Sequence, residues 1–297
     1  MRARAPASSA NLGPGLDVLA VALDLYVEVE VEPADRLRVT SAGEGADLPA
    51  DASHLAARVA AAVCGHDRLA ISVRSEVPVA RGLGSSAAIA LAAAAAAGAD
   101  DPLAVAARVD GHADNAAAAF SGGLVGVNAL GNGWRVSKLP LDAGLAFVAV
   151  VPDRTLETAR ARAVLPESVA RADAVFNLGR LALLLEGLGD RRRLVPAATG
   201  DRLHQGPRTP LFPEAPRLLA ALEDGGARAA CWSGAGPTLL GICERTDAEA
   251  VAAAGRQGLM DSGLEGRVFQ LHADLEGLVV GARAELPSRG ERPRAPA

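Results

Sequence analysis

The chain has 297 residues, and half of them are apolar, enough for a sizeable core in one large domain or two of about half the length each. Aromatics make up only 3%, so the core must be aliphatic and Ala-rich. With a formal net charge of −5 and no basic block, the chain offers nothing to hold a phosphate backbone, which argues against a nucleic-acid partner.

Lys138 is the only lysine among the 30 basic residues, and Leu139 follows it. No G-x-x-x-x-G-K-[ST] phosphate loop exists, and no V-A-I-K-like strand carries a kinase lysine. Cys64, Cys231 and Cys243 form no C-x-x-C pair, which fits a reducing compartment. The histidines never form H-E-x-x-H. The small-apolar run Ala87–Ala97 is too short to span a bilayer, and Val18–Leu23, closed by Asp17 and Asp24, is too short for a signal peptide. The expectation is a soluble cytoplasmic protein with no membrane partner.

In chain order, residues 26–32 (YVEVEVE) alternate apolar with acidic and predict a half-buried strand. Leu37–Thr40 reads as its partner. His54–Cys64 is an Ala-rich helix and Leu69–Val73 a strand leading to a glycine-rich turn. Ser86–Ala97 is helical by propensity, ending at Gly98. A helix from Val105 to about Phe120, broken at Gly111, precedes strands at Leu124–Val127 and Leu145–Val151. Helices are expected at 167–187, 190–204 and 214–224, and strands at Ala229–Ser233, Leu239–Ile242 and Val268–His272. Thr246-Asp247-Ala248-Glu249 reads as a capping box opening a helix to about Gln257. A domain boundary is placed near 150, giving domains 1–150 and 151–286. The Pro-, Arg- and Glu-rich stretch 287–297 is expected to be disordered.

Three segments carry chemistry. In Pro78-Val79-Ala80-Arg81-Gly82-Leu83-Gly84-Ser85-Ser86-Ala87-Ala88, a strand enters and an Ala-rich helix leaves. Its glycines allow a tight turn, and the helix start offers unpaired N–H groups and a positive dipole end to an anion such as a polyphosphate. Ala5–Asp17 is dense in small and polar residues, with Asn11 and Asp17 suited to a polar substrate. Cys231–Thr238 holds a third glycine loop, Ser233-Gly234-Ala235-Gly236, between two strand-like runs; Cys231 and Trp232 read as packing. Taken singly, each segment also reads as an ordinary turn.

In order and spacing, P-x-x-x-G-L-G-S-S-A-A, the early A-S-S-A-N-L-G-P-G-x-D and the late S-G-A-G-P-T resemble the GHMP kinases and, within them, the homoserine kinases. Gly111-His112-Ala113-Asp114-Asn115 with Gly122-Gly123, Arg162–Pro166, and Asp201–Gln205 with Arg208 extend the resemblance over most of the chain. It implies an α+β two-domain GHMP kinase fold, with an N-terminal domain like ribosomal protein S5 domain 2 and a ferredoxin-like C-terminal domain. The site would lie between them. ATP would rest on residues 78–88, with Mg²⁺ held by Ser86 (or Ser85) and by Asp110, which stands where the family has Glu. L-homoserine would be bound by Asn11, Asp17 and His112 at its ammonium and by Arg162 and Arg208 at its carboxylate. Asn115 would place the hydroxyl, and Asp17 is also a candidate general base. Adenine contacts stay unassigned, because His54 stands where the family often has Asn. The family commonly forms homodimers. A kinase of another small alcohol and a catalytically silent ligand-binding protein remain as alternatives.

Overall fold

The structure, a computed structural model, describes residues 1–131 and 133–281. The segment 287–297, expected to be disordered, lies outside the described residues.

Two sheets organise the chain. The first begins with β1 (Arg2–Ala10) and the 15-residue β2 (Leu19–Pro33), paired antiparallel. β3 (Arg38–Gly43) and β4 (Leu69–Ser75) flank α1 (Leu55–Cys64). β5 (Leu124–Leu130) and β6 (Gly133–Leu139) form a hairpin at the other end. β2 is long enough to serve two neighbours: Val27–Pro33 pairs with β4, whereas Leu19–Val21 pairs with β5. In β1 the register shifts between Pro6 and Ala7, a bulge at the position where proline removes a ladder donor.

The second sheet holds β7 (Leu145–Pro152), β8 (Ala229–Trp232), β9 (Leu239–Glu244) and β10 (Gly266–Leu271) in the order β10-β7-β9-β8, all antiparallel. With α8 (Ala215–Asp224) before β8 and α9 (Ala248–Asp261) between β9 and β10, this is the ferredoxin-like arrangement. A division at 150 falls inside β7, which belongs wholly to this sheet. The short β11 (Val279–Gly281) then returns to the edge of β1.

The remaining helices are α2 (Ser85–Ala96), α3 (Pro102–Asp110), α4 (Asp114–Ser121), α5 (Thr158–Ala163), α6 (Arg171–Gly189) and the single-turn α7 (Gln205–Arg208). α2 is buried over eleven of its twelve residues and packs on β1, β2, α1, α3 and α4. A helix mostly of small residues, Ile89 and Leu91 apart, lets that many neighbours approach closely, which fits an Ala-rich core. A second core lies under α8 and α9, where Trp232 meets Phe212 edge-on at 6.0 Å between ring centres.

Several expectations are corrected. β3 pairs in parallel with β4, not with β2, because β4 lies between them. No helix covers 190–204: Arg191–Arg193 and Pro196–Thr199 are separate 3₁₀ turns. The box at 246–249 does not form; the Thr246 hydroxyl donates to Asp247 Oδ1, and the Glu249 carboxylate is taken by Arg256 and Gln270. Ala5–Ala10 is buried strand, so the segment expected over Ala5–Asp17 shrinks to a loop after Ala10. Among the described residues no helix is long and apolar enough to cross a membrane.

Candidate active site

The three glycine segments meet at one cleft of about 590 Å³. Residues Ala80, Gly82 and Gly84 take left-handed conformations, with φ of +55°, +82° and +66°, and wind the chain from β4 into α2. The four carbonyls from Ala80 to Leu83 are all held by donors from elsewhere. Leu156 N reaches Ala80 O at 3.4 Å, Thr238 N reaches Arg81 O at 3.3 Å, and Ser8 N reaches Leu83 O at 3.1 Å. Ser233 Oγ lies 2.6 Å from Gly82 O and 2.8 Å from Ser9 Oγ. A carbonyl only accepts, so Ser233 donates to Gly82 and accepts from Ser9. With the carbonyls tied into the protein body, the first-turn amides of α2, which have no carbonyl one turn back, are left for the cleft lined by Gly82, Gly84, Ser85 and Ser86. The helix dipole adds positive potential there. Pro78, Leu83, Ala87 and Ala88 are buried among neighbours, and their side chains serve packing.

Glycine is obligatory at two points. A Cβ on Gly82 would lie 2.3 Å from Ser233 O, and one on Gly84 would lie 2.1 Å from Ser8 Oγ. The Ser8 hydroxyl donates to Asn115 Oδ1 at 2.9 Å. Asn115 therefore stands against the turn into α2 and lines the cleft.

Ser86 and Asp110 join where α2 and α3 face each other. Ser86 Oγ donates to Asp110 Oδ1 at 2.8 Å. Burial pushes the Asp110 carboxyl above its ordinary range, against the lowering effect of that bond. Asp114 is buried nearby, and burial raises its carboxyl too.

At the opposite end, Asn11 and Asp17 both have left-handed backbone, φ +59° and +58°. Asn11 Oδ1 accepts from Asp17 N at 2.8 Å, so one residue fixes the other. Arg162, on α5, grips the Asp17 carboxylate with two nitrogens, at 2.5 and 3.1 Å. Burial raises the Asp17 carboxyl, but Arg162, then His112 and Arg208, outweigh it and hold it below the ordinary carboxylate range. Arg162 lines the cleft with Asn11, His112 and Arg208, and Asp17 is joined to that lining through Arg162.

Arg208, on α7, is the buried cation of the site. Its guanidinium donates only to neutral acceptors: Ala161 O at 3.2 Å, Gly234 O at 3.1 Å and His204 Nδ1 at 2.9 Å. Among the described residues no carboxylate lies within ion-pair distance of it. Burial pushes it down to about 10, so it stays charged at neutral pH and awaits an anion. The third loop joins here, because Gly234 N also donates to Ala10 O at 2.8 Å.

Sequence reasoning missed the supports. Asp201 accepts from the amides of Leu203, His204 and Gln205 and from Asn177 Nδ2, building the turn that presents Arg208. Ser8 and Ser9 lie in the A-S-S-A-N segment, yet nothing local distinguishes their hydroxyls from those of a surface loop. Arg81 clasps the other lobe, with Nη2 at 2.6 Å from Asp153 Oδ1. Cys231 and Trp232 are fully buried and pack, as expected.

The site thus pairs the amide end of α2 with a cluster of opposite charges. Family models described as "GHMP kinases N terminal domain" and "GHMP kinases C terminal" match residues 52–123 and 177–259. The chain belongs to the GHMP kinase family. The homoserine kinase of Streptomyces avermitilis is 40% identical to it, covering 87% of this chain and 90% of that protein. The homoserine kinase of Desulfitobacterium hafniense is 37% identical over 94% and 99% of the two chains. Among solved structures, the homoserine kinase of Cytophaga hutchinsonii superposes with a TM-score of 0.81 at 26% identity, over 94% of this chain and 96% of that one.

Proposed function

We propose that the chain is an ATP-dependent homoserine kinase, which transfers the γ-phosphoryl group of ATP to the side-chain hydroxyl of L-homoserine, giving O-phospho-L-homoserine and ADP. The observation that carries this reading is the union, in one cleft, of the α2 amide cradle with a buried, uncompensated Arg208 and the Asp17–Arg162 pair. A polyphosphate suits the first. An α-amino acid suits the second: a carboxylate for Arg208 and for the guanidinium hydrogens of Arg162 that Asp17 leaves free, and an ammonium for Asn11 and His112, with the Asp17 carboxylate beside Arg162 supplying the opposite charge.

The mechanism follows from placement. Asn115 abuts Gly84, so a hydroxyl accepting from its Nδ2 lies beside the phosphate cradle. Phosphoryl transfer depends mainly on positioning and on stabilising charge at the transferred oxygens, and the fixed amides of α2 serve both without reorganising. Asp17, held low by Arg162, is a weak base; that favours its role at the ammonium. Ser86 and Asp110 fit Mg²⁺, which takes hard oxygen donors and is commonly held by one or two carboxylates together with substrate phosphates. When bound, the ion neutralises charge on the phosphates.

The test is ADP release with Mg-ATP against homoserine, mevalonate, galactose and shikimate. Homoserine is expected to stand well above the others. ATP binding with no alcohol-dependent ADP release would overturn the reading in favour of a silent ligand-binding protein.

A further inference from the structure

His204 does not line the cleft, yet it is wholly buried and touches Arg208, which does. Its Nε2 lies 2.6 Å from Gly13 O and its Nδ1 lies 2.9 Å from Arg208 Nη1. These partners decide the proton. A guanidinium donates from every nitrogen and accepts nothing, so Nδ1 must be bare. A carbonyl only accepts, so Nε2 must carry the hydrogen. The ring is a single neutral tautomer, and burial keeps it neutral by lowering its pKa against the pull of Asp201, whose Oδ2 is 3.9 Å from Nε2. A protonated ring would turn a second donor on Arg208.

The two partners matter for different reasons. Gly13 belongs to the loop that carries Asn11 and Asp17. It is itself wedged: a Cβ there would lie 2.8 Å from Thr199 Cα. Arg208 is the buried cation, already shared with Gly234 of the third loop. One imidazole therefore ties the ammonium-binding loop to the carboxylate-binding arginine.

We propose that His204 is a positioning residue, which sets the separation between the ammonium-binding and carboxylate-binding groups and hence the affinity for the amino-acid head of the substrate. This rests on the reading of the cleft as a homoserine site. The α2 cradle is held by Leu156, Thr238, Ser233 and Ser8 instead, so ATP should not sense the change.

The experiment uses the full chain and two substitutions that divide the bridge. In His204→Asn the amide oxygen sits near the place of Nδ1, keeps an acceptor for Arg208 and loses the donor to Gly13. In His204→Gln the longer amide places N–H near Nε2, keeps the donor and loses the acceptor. Homoserine-dependent ADP release by the unaltered chain comes first; its absence would remove the underlying function, not merely this role for His204. Given that release, each variant is expected to raise the homoserine KM tenfold or more, with kcat within about threefold and ATP KM within about twofold of the parent. An unchanged homoserine KM, or ATP and homoserine KM rising together, would overturn the proposal. A second readout does not depend on either variant folding: long-range proton–nitrogen NMR of the unaltered chain should show a histidine with bare Nδ1 and protonated Nε2 that stays so through mild acidification. Absence of such a resonance would equally overturn it.

Discussion

Gly82→Ala tests whether the first and third glycine segments touch. Two costs can be separated. The first is conformational: φ is +82° at Gly82, and an L residue held in left-handed backbone costs about 1–2 kcal/mol. The second is steric. The new Cβ would lie 2.3 Å from Ser233 O and 3.0 Å from Gly236 O, both backbone atoms that cannot rotate away. The third loop must retreat by about an ångström to reach ordinary contact, and the Ser233 hydroxyl then leaves Gly82 O. An unsatisfied buried partner costs about 1–3 kcal/mol. The sum is about 2–5 kcal/mol. Gly65→Ala is the matched control, because Gly65 has φ +74° at the end of α1 with nothing within 4 Å of a built Cβ. It should lose only the conformational part, about 1–2 kcal/mol. Urea denaturation of both variants, with ATP KM measured alongside, reads the difference. Gly82→Ala should also weaken ATP, whereas Gly65→Ala should not. Equal losses of stability, with ATP KM unchanged in both, would refute the contact and the cradle built on it.

Ser86→Ala and Asp110→Asn should each lower kcat tenfold or more and raise the Mg²⁺ concentration for half-maximal rate, with the double variant little worse than either single one; an unaltered Mg²⁺ dependence in a titration at fixed ATP rejects the pair as ligands. Asp17→Asn should raise the homoserine KM far more than it lowers kcat, and the reverse pattern in steady-state kinetics would restore the general-base role. Trp232→Ala removes a fully buried ring packed on Phe212 and should cost about 3–5 kcal/mol by chemical denaturation, a loss under 1 kcal/mol being incompatible with that packing. Burial pushes the Cys231 and Cys243 thiols up to about 12, so a thiol reagent at pH 8 should find only half-buried Cys64 in the folded chain and all three after denaturation; rapid labelling of a second thiol in the folded chain would contradict their burial.

What could be read from the sequence divides by the range of the forces involved. The α3–α4 break at Gly111 was legible because a positive φ at a helix end is a local demand that glycine meets alone. The start of α1 at His54 was legible too, although the cap is an imidazole nitrogen accepting from Ala56 N at 3.2 Å. Residues 190–204 were misread because Leu194, Ala197 and Ala198 look helical, whereas Pro196 and the carboxylate of Asp142, which accepts from Arg191 N, set two short turns. The pairing of β3 depends on α1 bringing β4 alongside, which no period within β3 records. In the site, the glycine segments were identified individually. Their convergence was not, since Ser9–Ser233 and Gly13–His204 join residues more than 190 positions apart. Arg208 was found, but its lack of a carboxylate partner is a tertiary fact.

In the function proposed above, a chain with one lysine and a net negative charge holds a polyphosphate through dipoles fixed before the ligand arrives. That choice propagates through the fold. Fixed amides need a helix end that does not move, and α2 is immobilised by burial on nearly every side. Burial on every side favours alanine, which fills α2 apart from Ser85, Ser86, Ile89 and Leu91 and lets β1, α1 and α4 approach closely. Side chains that small leave no cation on the helix itself, so positive charge is kept for the other end of the cleft. There Arg208 is sunk among neutral acceptors and left for the substrate to neutralise. The Ala-rich helix and the arginine without an ion-pair partner thus serve one arrangement in the function proposed above, in which backbone binds the nucleotide and charge the substrate.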